Sequence, residues 1–238
     1  MTTKPKAKRK PEDPHEHLGR VDSRMARLMK KVGPCPLPER SKNKPNAEQS
    51  FVALVQSIVS QQLSGKAADT IYGRVEALGN GKLPSPSELL KLPDEKLRAA
   101  GLSNAKTRSV KDLASRVVDK TLTLDDLHAH DNEVIIERLT QVKGIGRWTA
   151  EMFLMFRLGR LDVLSTADLG LRKGMMELFG LSDLPDPETM EKIAAPWRPY
   201  RSVGCWYLWR AAEGMAPLRK QAKTTKKPAV KVGANRGR

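Results

Sequence analysis

Between residues 47 and 59 the apolar side chains Phe51, Leu54, Val55, Ile58 and Val59 recur at intervals of three and four, the spacing of a helix with one buried face. Later stretches repeat that spacing. None alternates convincingly with the period of two that a half-buried strand requires, so the expected fold class is all-α. Punctuation separates the helices. Asp22 can cap one that ends at Gly33, and Ser64 can cap another whose apolar positions run through Ala68, Ile71, Tyr72 and Val75 before Gly79. Shorter helices are expected near Ser87 and Asp94, and a longer one over 104–119. Others should follow Asp125, Asp131 and Asp168, and a last one covers 201–214. The proline-punctuated stretch GPCPLPERSKNKPN, residues 33–46, is the expected crossing between two helical lobes.

Charge points to a partner. Forty-three Lys and Arg against 27 Asp and Glu give a net charge of +16, an excess that suits a polyanion. Residues 1–20 hold six basic and three acidic side chains, and residues 219–238 hold eight basic and no acidic ones. Most of the net charge therefore lies in two expected basic disordered tails, 1–20 and 218–238, flanking a helical domain over 21–217. The two cysteines, Cys35 and Cys205, exclude a disulfide framework and any four-thiolate zinc or iron–sulfur site built from this chain alone. No apolar run is long enough to span a bilayer, and the charged N-terminal segment is unlike a signal peptide. The expected setting is cytoplasmic, with no membrane partner. His15, His17, His128 and His130 form HEH and HAH pairs, but no further ligands cluster with them in the sequence.

The stretch QVKGIGRWTAEMF, residues 141–153, places two glycines directly before helical sequence. One helix is expected over 133–139, a tight hairpin over TQVKGIG, and a second helix over 147–158. Gly144 and Gly146 remove side chains from the turn and permit backbone dihedrals closed to other residues. Amides exposed at the N-terminus of the second helix favour an anion such as a phosphate. An ordinary turn between two helices is the alternative for so short a motif.

The longer pattern L-x-x-V-x-G-I-G-R-x-T-A, with a later Asp168, resembles the helix-hairpin-helix DNA glycosylases. Within them it is most similar to the monofunctional branch acting on alkylated bases, of the 3-methyladenine DNA glycosylase II type. SIVSQQLSGKAA at 57–68, AGLSNAKTRSVKDLA at 100–114 and RPYRSVGCWYLWR at 198–210 extend the likeness over roughly 25–214. The resemblance implies a two-lobed helical protein with its active site in the interlobe cleft, in a compact form without the extra N-terminal β-domain of larger members. It implies double-stranded DNA containing a damaged base as partner, base flipping as the route in, and a monomer.

The resemblance makes Asp168 the catalytic carboxylate. An Asp before a helix is also an N-cap, and the two roles are compatible. Breaking an N-glycosidic bond develops positive charge on the deoxyribose, which a nearby anion stabilises while orienting or activating water. The segment before Asp168 reads VLSTA, without the family's usual proline. Trp148 stands where bifunctional relatives carry a Schiff-base lysine, and an indole nitrogen cannot attack the sugar. Trp148 is thus implied to line the base pocket, with Met152 and Met155 on its helix face. Tyr200 matches a stacking aromatic, and Trp206 is a second pocket candidate, although Trp206 and Trp209 also fit a plain core. A cationic alkylated purine suits such aromatic faces and leaves as a neutral base.

Gln62 and Leu63 in QQLS, 61–64, correspond to the family's intercalating wedge, the alternative being a turn with Leu63 buried. Gly144, Gly146 and Arg147 are candidate phosphate contacts. Lys106 is another, or else a solvated lysine. The carbonyls of Thr140, Val142 and Ile145 resemble those that hold a structural Na+ or K+ in this hairpin; no cofactor is required. Two other classes remain open: a non-catalytic helix-hairpin-helix DNA-binding protein, and a glycosylase for oxidised or deaminated bases.

Overall fold

Aspartate followed by proline opens the first helix. Asp13 accepts hydrogen bonds from the amides of His15 (2.8 Å) and Glu16 (3.2 Å), with Pro14 at the first helical position, so α1 spans Pro14–Val21. Leu18 on this helix is fully buried. This corrects the expected N-terminal boundary, because residues 12–20 pack into the folded unit instead of forming tail. The computed structural model describes residues 12–213; the expected tail segments 1–11 and 218–238 lie outside them.

Asp22 caps α2 (Ser23–Val32) through the amides of Arg24 and Met25, and its second oxygen accepts the Trp197 indole N–H at 3.0 Å. The linker 33–46 contains the single turn α3 (Leu37–Arg40). Asn46 and Gln49 form a reciprocal capping box that starts α4 (Ala47–Ser60), a device worth about 1 kcal/mol. Then come α5 (Gly65–Ala77), α6 (Pro86–Lys91), α7 (Asp94–Ala99) and α8 (Asn104–Val118). The second half holds α9 (Asn132–Thr140), α10 (Arg147–Phe156), α11 (Leu169–Phe179), α12 (Pro187–Ala194) and α13 (Arg201–Ala212). The described residues contain no strand, and the fold is all-α as expected.

The helix expected after Asp125 is only a 3-10 turn, Leu127–Ala129. The Arg160 guanidinium accounts for this, since it occupies the carbonyls of Leu127 (3.1 Å), His128 (3.3 Å) and His130 (2.7 Å) that a longer helix would use internally. α12 was not expected; Asp186 caps it through the amide of Thr189, and Pro187 stands at its start.

Packing sorts the helices into two groups. α4 to α8 pack among themselves, while α13 gathers α2, α3 and α11, and α1 packs on α2. The hairpin helix α10 touches α9, α3 and α4, so it stands where the groups meet. The linker is pinned from behind by Tyr207, whose hydroxyl donates to the Gly33 carbonyl (2.9 Å) and accepts from the Cys35 amide (3.1 Å). No described helix is long and apolar enough to cross a membrane.

Candidate active site

Asp168 is the N-cap of α11, and its side chain is held on both oxygens. Oδ1 accepts the Leu171 amide at 2.8 Å and the Trp209 indole N–H at 2.9 Å. Oδ2 accepts the Trp148 indole N–H at 2.6 Å. The residue is only 8% exposed, so its geometry is set by protein donors and not by solvent. Gly170 is part of the construction. A Cβ there would lie 2.8 Å from Cδ1 of Trp209 and 3.1 Å from Oδ1 of Asp168, so any side chain would push the indole off the carboxylate.

Trp148, in the first turn of α10, is 47% exposed. While one edge bonds Asp168, the residue helps to line a cleft of about 630 Å³ with Thr149, Met152 and Arg157. The facing wall comes from α4 and the loop after it: Gln56, Ser57, Ser60 and the stretch 61–63. The structure therefore brings together Trp148, Met152, Gln62 and Leu63, with Asp168 directly behind Trp148. Met155 is instead fully packed in the core.

The loop between α4 and α5 is exposed at its tip and anchored at its base. Leu63 is 38% exposed, which overturns the reading of it as a buried turn residue. Gln62 adopts φ +57°, a left-handed conformation uncommon for a non-glycine residue. The Gln61 side chain donates to the Gly144 carbonyl at 2.8 Å, tying this loop to the glycine hairpin.

The two hairpin glycines differ. Gly144 has φ +80°, and a Cβ would strike the Ser109 hydroxyl of α8. Gly146 has φ −89° and ψ 171°, open to any residue, and a Cβ there would meet nothing within 4 Å. The expectation that both need unusual dihedrals is corrected to Gly144 alone. α10 has no side-chain cap, so its first-turn amides face outward for an external acceptor. Of the expected cation carbonyls, Val142 accepts the Ile145 amide at 3.0 Å; those of Thr140 and Ile145 accept no hydrogen bond from the described residues.

Four candidates lie elsewhere or serve another purpose. Tyr200 donates its hydroxyl to the Glu12 carbonyl at 2.6 Å and packs edge-on against His17, so it clamps α1 and does not line the cleft. Trp206 packs edge-on against Tyr207 beneath the Arg210 guanidinium, also away from the cleft. The Lys106 ammonium reaches inward to the carbonyls of Val59 and Gln61, both 2.7 Å, where it neutralises the C-terminal end of α4. Desolvation there lowers its pKa. Arg147 forks onto Glu133 (2.9 and 2.7 Å) and donates its Nε to Glu151 at 3.0 Å, leaving its guanidinium engaged within the protein.

Trp209, which the sequence offers only as a core residue, is instead a partner of Asp168. It sits one turn beyond Trp206, and its ring also packs against Phe156 at 5.7 Å. Glu151, a buried carboxylate on α10 bonded to the Ser165 hydroxyl, is likewise not singled out by the sequence. The only signal for either was a tryptophan or a glutamate placed on an otherwise inward helix face.

The chain is similar to known proteins over most of its length. Residues 55–199 match the HhH-GPD superfamily base excision DNA repair protein family. DNA-3-methyladenine glycosylase 1 of Schizosaccharomyces pombe is 37% identical over 199 residues, 83% of this chain and 86% of that protein. The structure of the S. pombe 3-methyladenine DNA glycosylase Mag1 in complex with abasic DNA superposes with a TM-score of 0.71 at 35% identity, over 84% of this chain and 96% of that one. The DNA-3-methyladenine glycosidase of Bacillus halodurans gives a TM-score of 0.74 at 41% identity, covering 86% and 91%. With a family match over more than half its length, on a fold that holds Asp168 between two indoles beside the glycine hairpin, the chain belongs to the HhH-GPD superfamily of base excision DNA repair proteins.

Proposed function

We propose that this protein is a monofunctional DNA glycosylase that releases alkylated bases of the 3-methyladenine and 7-methylguanine type from duplex DNA by hydrolysis. The observation that carries the reading is the Asp168 carboxylate, fixed by the N–H groups of Trp148 and Trp209, with Trp148 itself lining a cleft that the Leu63 loop also lines.

The damaged nucleotide leaves the stack and enters the cleft, while Leu63 or Gln62 fills the gap in the duplex. The base lies against Trp148 and Met152. A purine alkylated at N3 or N7 carries positive charge, and an aromatic face attracts it by roughly 0.5–2 kcal/mol. As the glycosidic bond lengthens, cationic character grows on the deoxyribose, and Asp168 opposes it with a charge held in place beforehand. The base departs neutral, so no strong general acid is needed. Water completes the displacement, oriented or activated by the same carboxylate. Trp148 offers no amine for a Schiff base, which is why the product expected is an intact abasic strand.

Binding begins at the hairpin. A backbone phosphate fits the open amides at the α10 N-terminus, and nothing inside the protein requires glycine at Gly146, which leaves room for that phosphate to approach. A monovalent cation on the carbonyls of Thr140, Val142 and Ile145 would bridge the turn to the same phosphate without taking part in the chemistry. The protein would act as a monomer.

The test is base release from duplexes carrying one defined lesion. Asp168→Asn should nearly abolish release from methylated DNA while duplex affinity stays level or rises, because an anion near phosphates is lost. Wild-type rates in that variant would sink the catalytic assignment. A wild-type protein that binds duplex yet releases no base would make it a DNA-binding module, and preference for 8-oxoguanine or uracil would change the substrate class.

A further inference from the structure

Glu151 is buried at 4% exposure, and base release as described above gives it no task. A carboxylate in that setting is costly unless its oxygens are satisfied, and here both are. Oε1 accepts from Nε of Arg147 at 3.0 Å, and Oε2 accepts a short hydrogen bond from the hydroxyl of Ser165, itself fully buried. Burial pushes the Glu151 pKa up, while the Ser165 and Arg147 hydrogen bonds pull it back.

Ser165 begins the turn that delivers Asp168. Its carbonyl accepts the Asp168 amide at 3.2 Å, closing four residues into the loop that ends at the N-cap of α11. The same helix that carries Glu151 carries Trp148 three residues earlier, and the Trp148 indole holds Oδ2 of Asp168. α10 thus grips this turn at both ends, with Glu151 at its start and Trp148 at its finish. Arg147 carries the connection outward to Glu133 on α9, so the brace is continuous with the two helices of the hairpin. The pair also supplies a side-chain anchor in the VLSTA segment, where the family's usual proline is absent.

We infer that Glu151, acting through the Ser165 hydroxyl, is a positioning residue that sets the Asp168 carboxylate against the deoxyribose. The inference rests on the base-release reading. Glu151 touches neither substrate nor reacting atoms; its effect is on where the carboxylate sits, and misplacement of a reacting group by about 1 Å can cost about 100-fold in rate.

The experiment compares wild-type protein with Ser165→Ala, Glu151→Gln, Glu151→Met and the double variant Glu151→Met/Ser165→Ala. Three quantities are measured: single-turnover release of 7-methylguanine at saturating protein, affinity for a duplex holding an abasic-site analogue, and the thermal midpoint. Ser165→Ala and Glu151→Met should each slow release by about 10- to 100-fold with duplex affinity unchanged. Glu151→Gln keeps an acceptor for the Ser165 hydroxyl and should recover part of the rate. The double variant should be no slower than the slower single variant, because both remove one contact. Ser165→Ala removes a single hydroxyl, so it carries the test if Glu151→Met does not fold. Variants with lowered thermal midpoints but wild-type saturated rates would make the pair a purely structural contact and overturn the inference. A wild-type protein without base release would instead bring down the function, and this proposal with it.

Discussion

The indole N–H of Trp209 lies 2.9 Å from Oδ1 of Asp168, so the helix that closes the described chain, α13, donates to a carboxylate 41 positions earlier. Trp148 makes the matching contact to Oδ2 from α10. Two rigid helices thereby fix one side chain without any charged donor.

Trp209→Phe keeps a ring against Phe156 but deletes the N–H. Oδ1 then retains only the Leu171 amide. The expected loss is about 1–3 kcal/mol of stability from an under-satisfied carboxylate. Single-turnover base release should fall at the same time, with duplex affinity unaltered. A variant that releases base at the wild-type rate would show that the Trp148 and Leu171 contacts suffice.

Trp148→Ala separates cationic from neutral bases. Loss of the Asp168 contact slows release of both, whereas the aromatic face matters for the charged base alone. Release of 7-methylguanine should therefore fall about 2- to 30-fold further than that of a neutral base such as hypoxanthine, the equivalent of 0.5–2 kcal/mol. Equal losses would remove the cation–π contact from the account. Borohydride added to the wild-type reaction should trap no covalent complex; a trapped adduct would mean that some lysine supplies lyase chemistry.

The hairpin glycines should respond differently. Gly144→Ala forces a side chain into a positive-φ position against Ser109, and urea unfolding should show a loss of about 1–3 kcal/mol. Gly146→Ala should stay within about 0.5 kcal/mol of wild type, because its methyl meets nothing in the protein. Its cost should appear as weaker duplex binding. Unchanged affinity there would move the phosphate to another place.

Lys106→Met tests the inward placement of that ammonium. Each phosphate contact contributes about 0.9 to the slope of log affinity against log salt. With Nζ on the carbonyls of Val59 and Gln61, the slope should stay at its wild-type value while stability drops. A slope reduced by about 0.9 would return Lys106 to the DNA interface.

The helices and Asp168 were legible because their signals are local. Asp13, Asp22, Asn46 and Asp168 all accept amides two or three residues ahead. α1 is hidden in the sequence, since charged neighbours mask its single buried Leu18, although Asp13–Pro14 is a helix-start signal. The partners of the basic side chains are not legible for another reason. Arg147 finds Glu133 across 14 positions, and Lys106 finds Val59 across 47, pairings that no periodicity encodes. The surroundings of the aromatic side chains are illegible for the same reason. Period 3.6 places Trp206 and Trp209 near one another on α13, but it does not say that Arg210 and Tyr207 cover the first while Asp168 meets the second.

The bond from Gln61 to the Gly144 carbonyl, with Lys106 fastened to the α4 end beside it, has a thermodynamic consequence for the Leu63 tip. Ordering a free loop on contact with DNA would cost roughly 1–2 kcal/mol for each backbone residue fixed. A tip whose stem is already hydrogen-bonded in place avoids part of that loss. In the proposed reaction, the free energy released at the phosphates would then be left for unstacking the duplex.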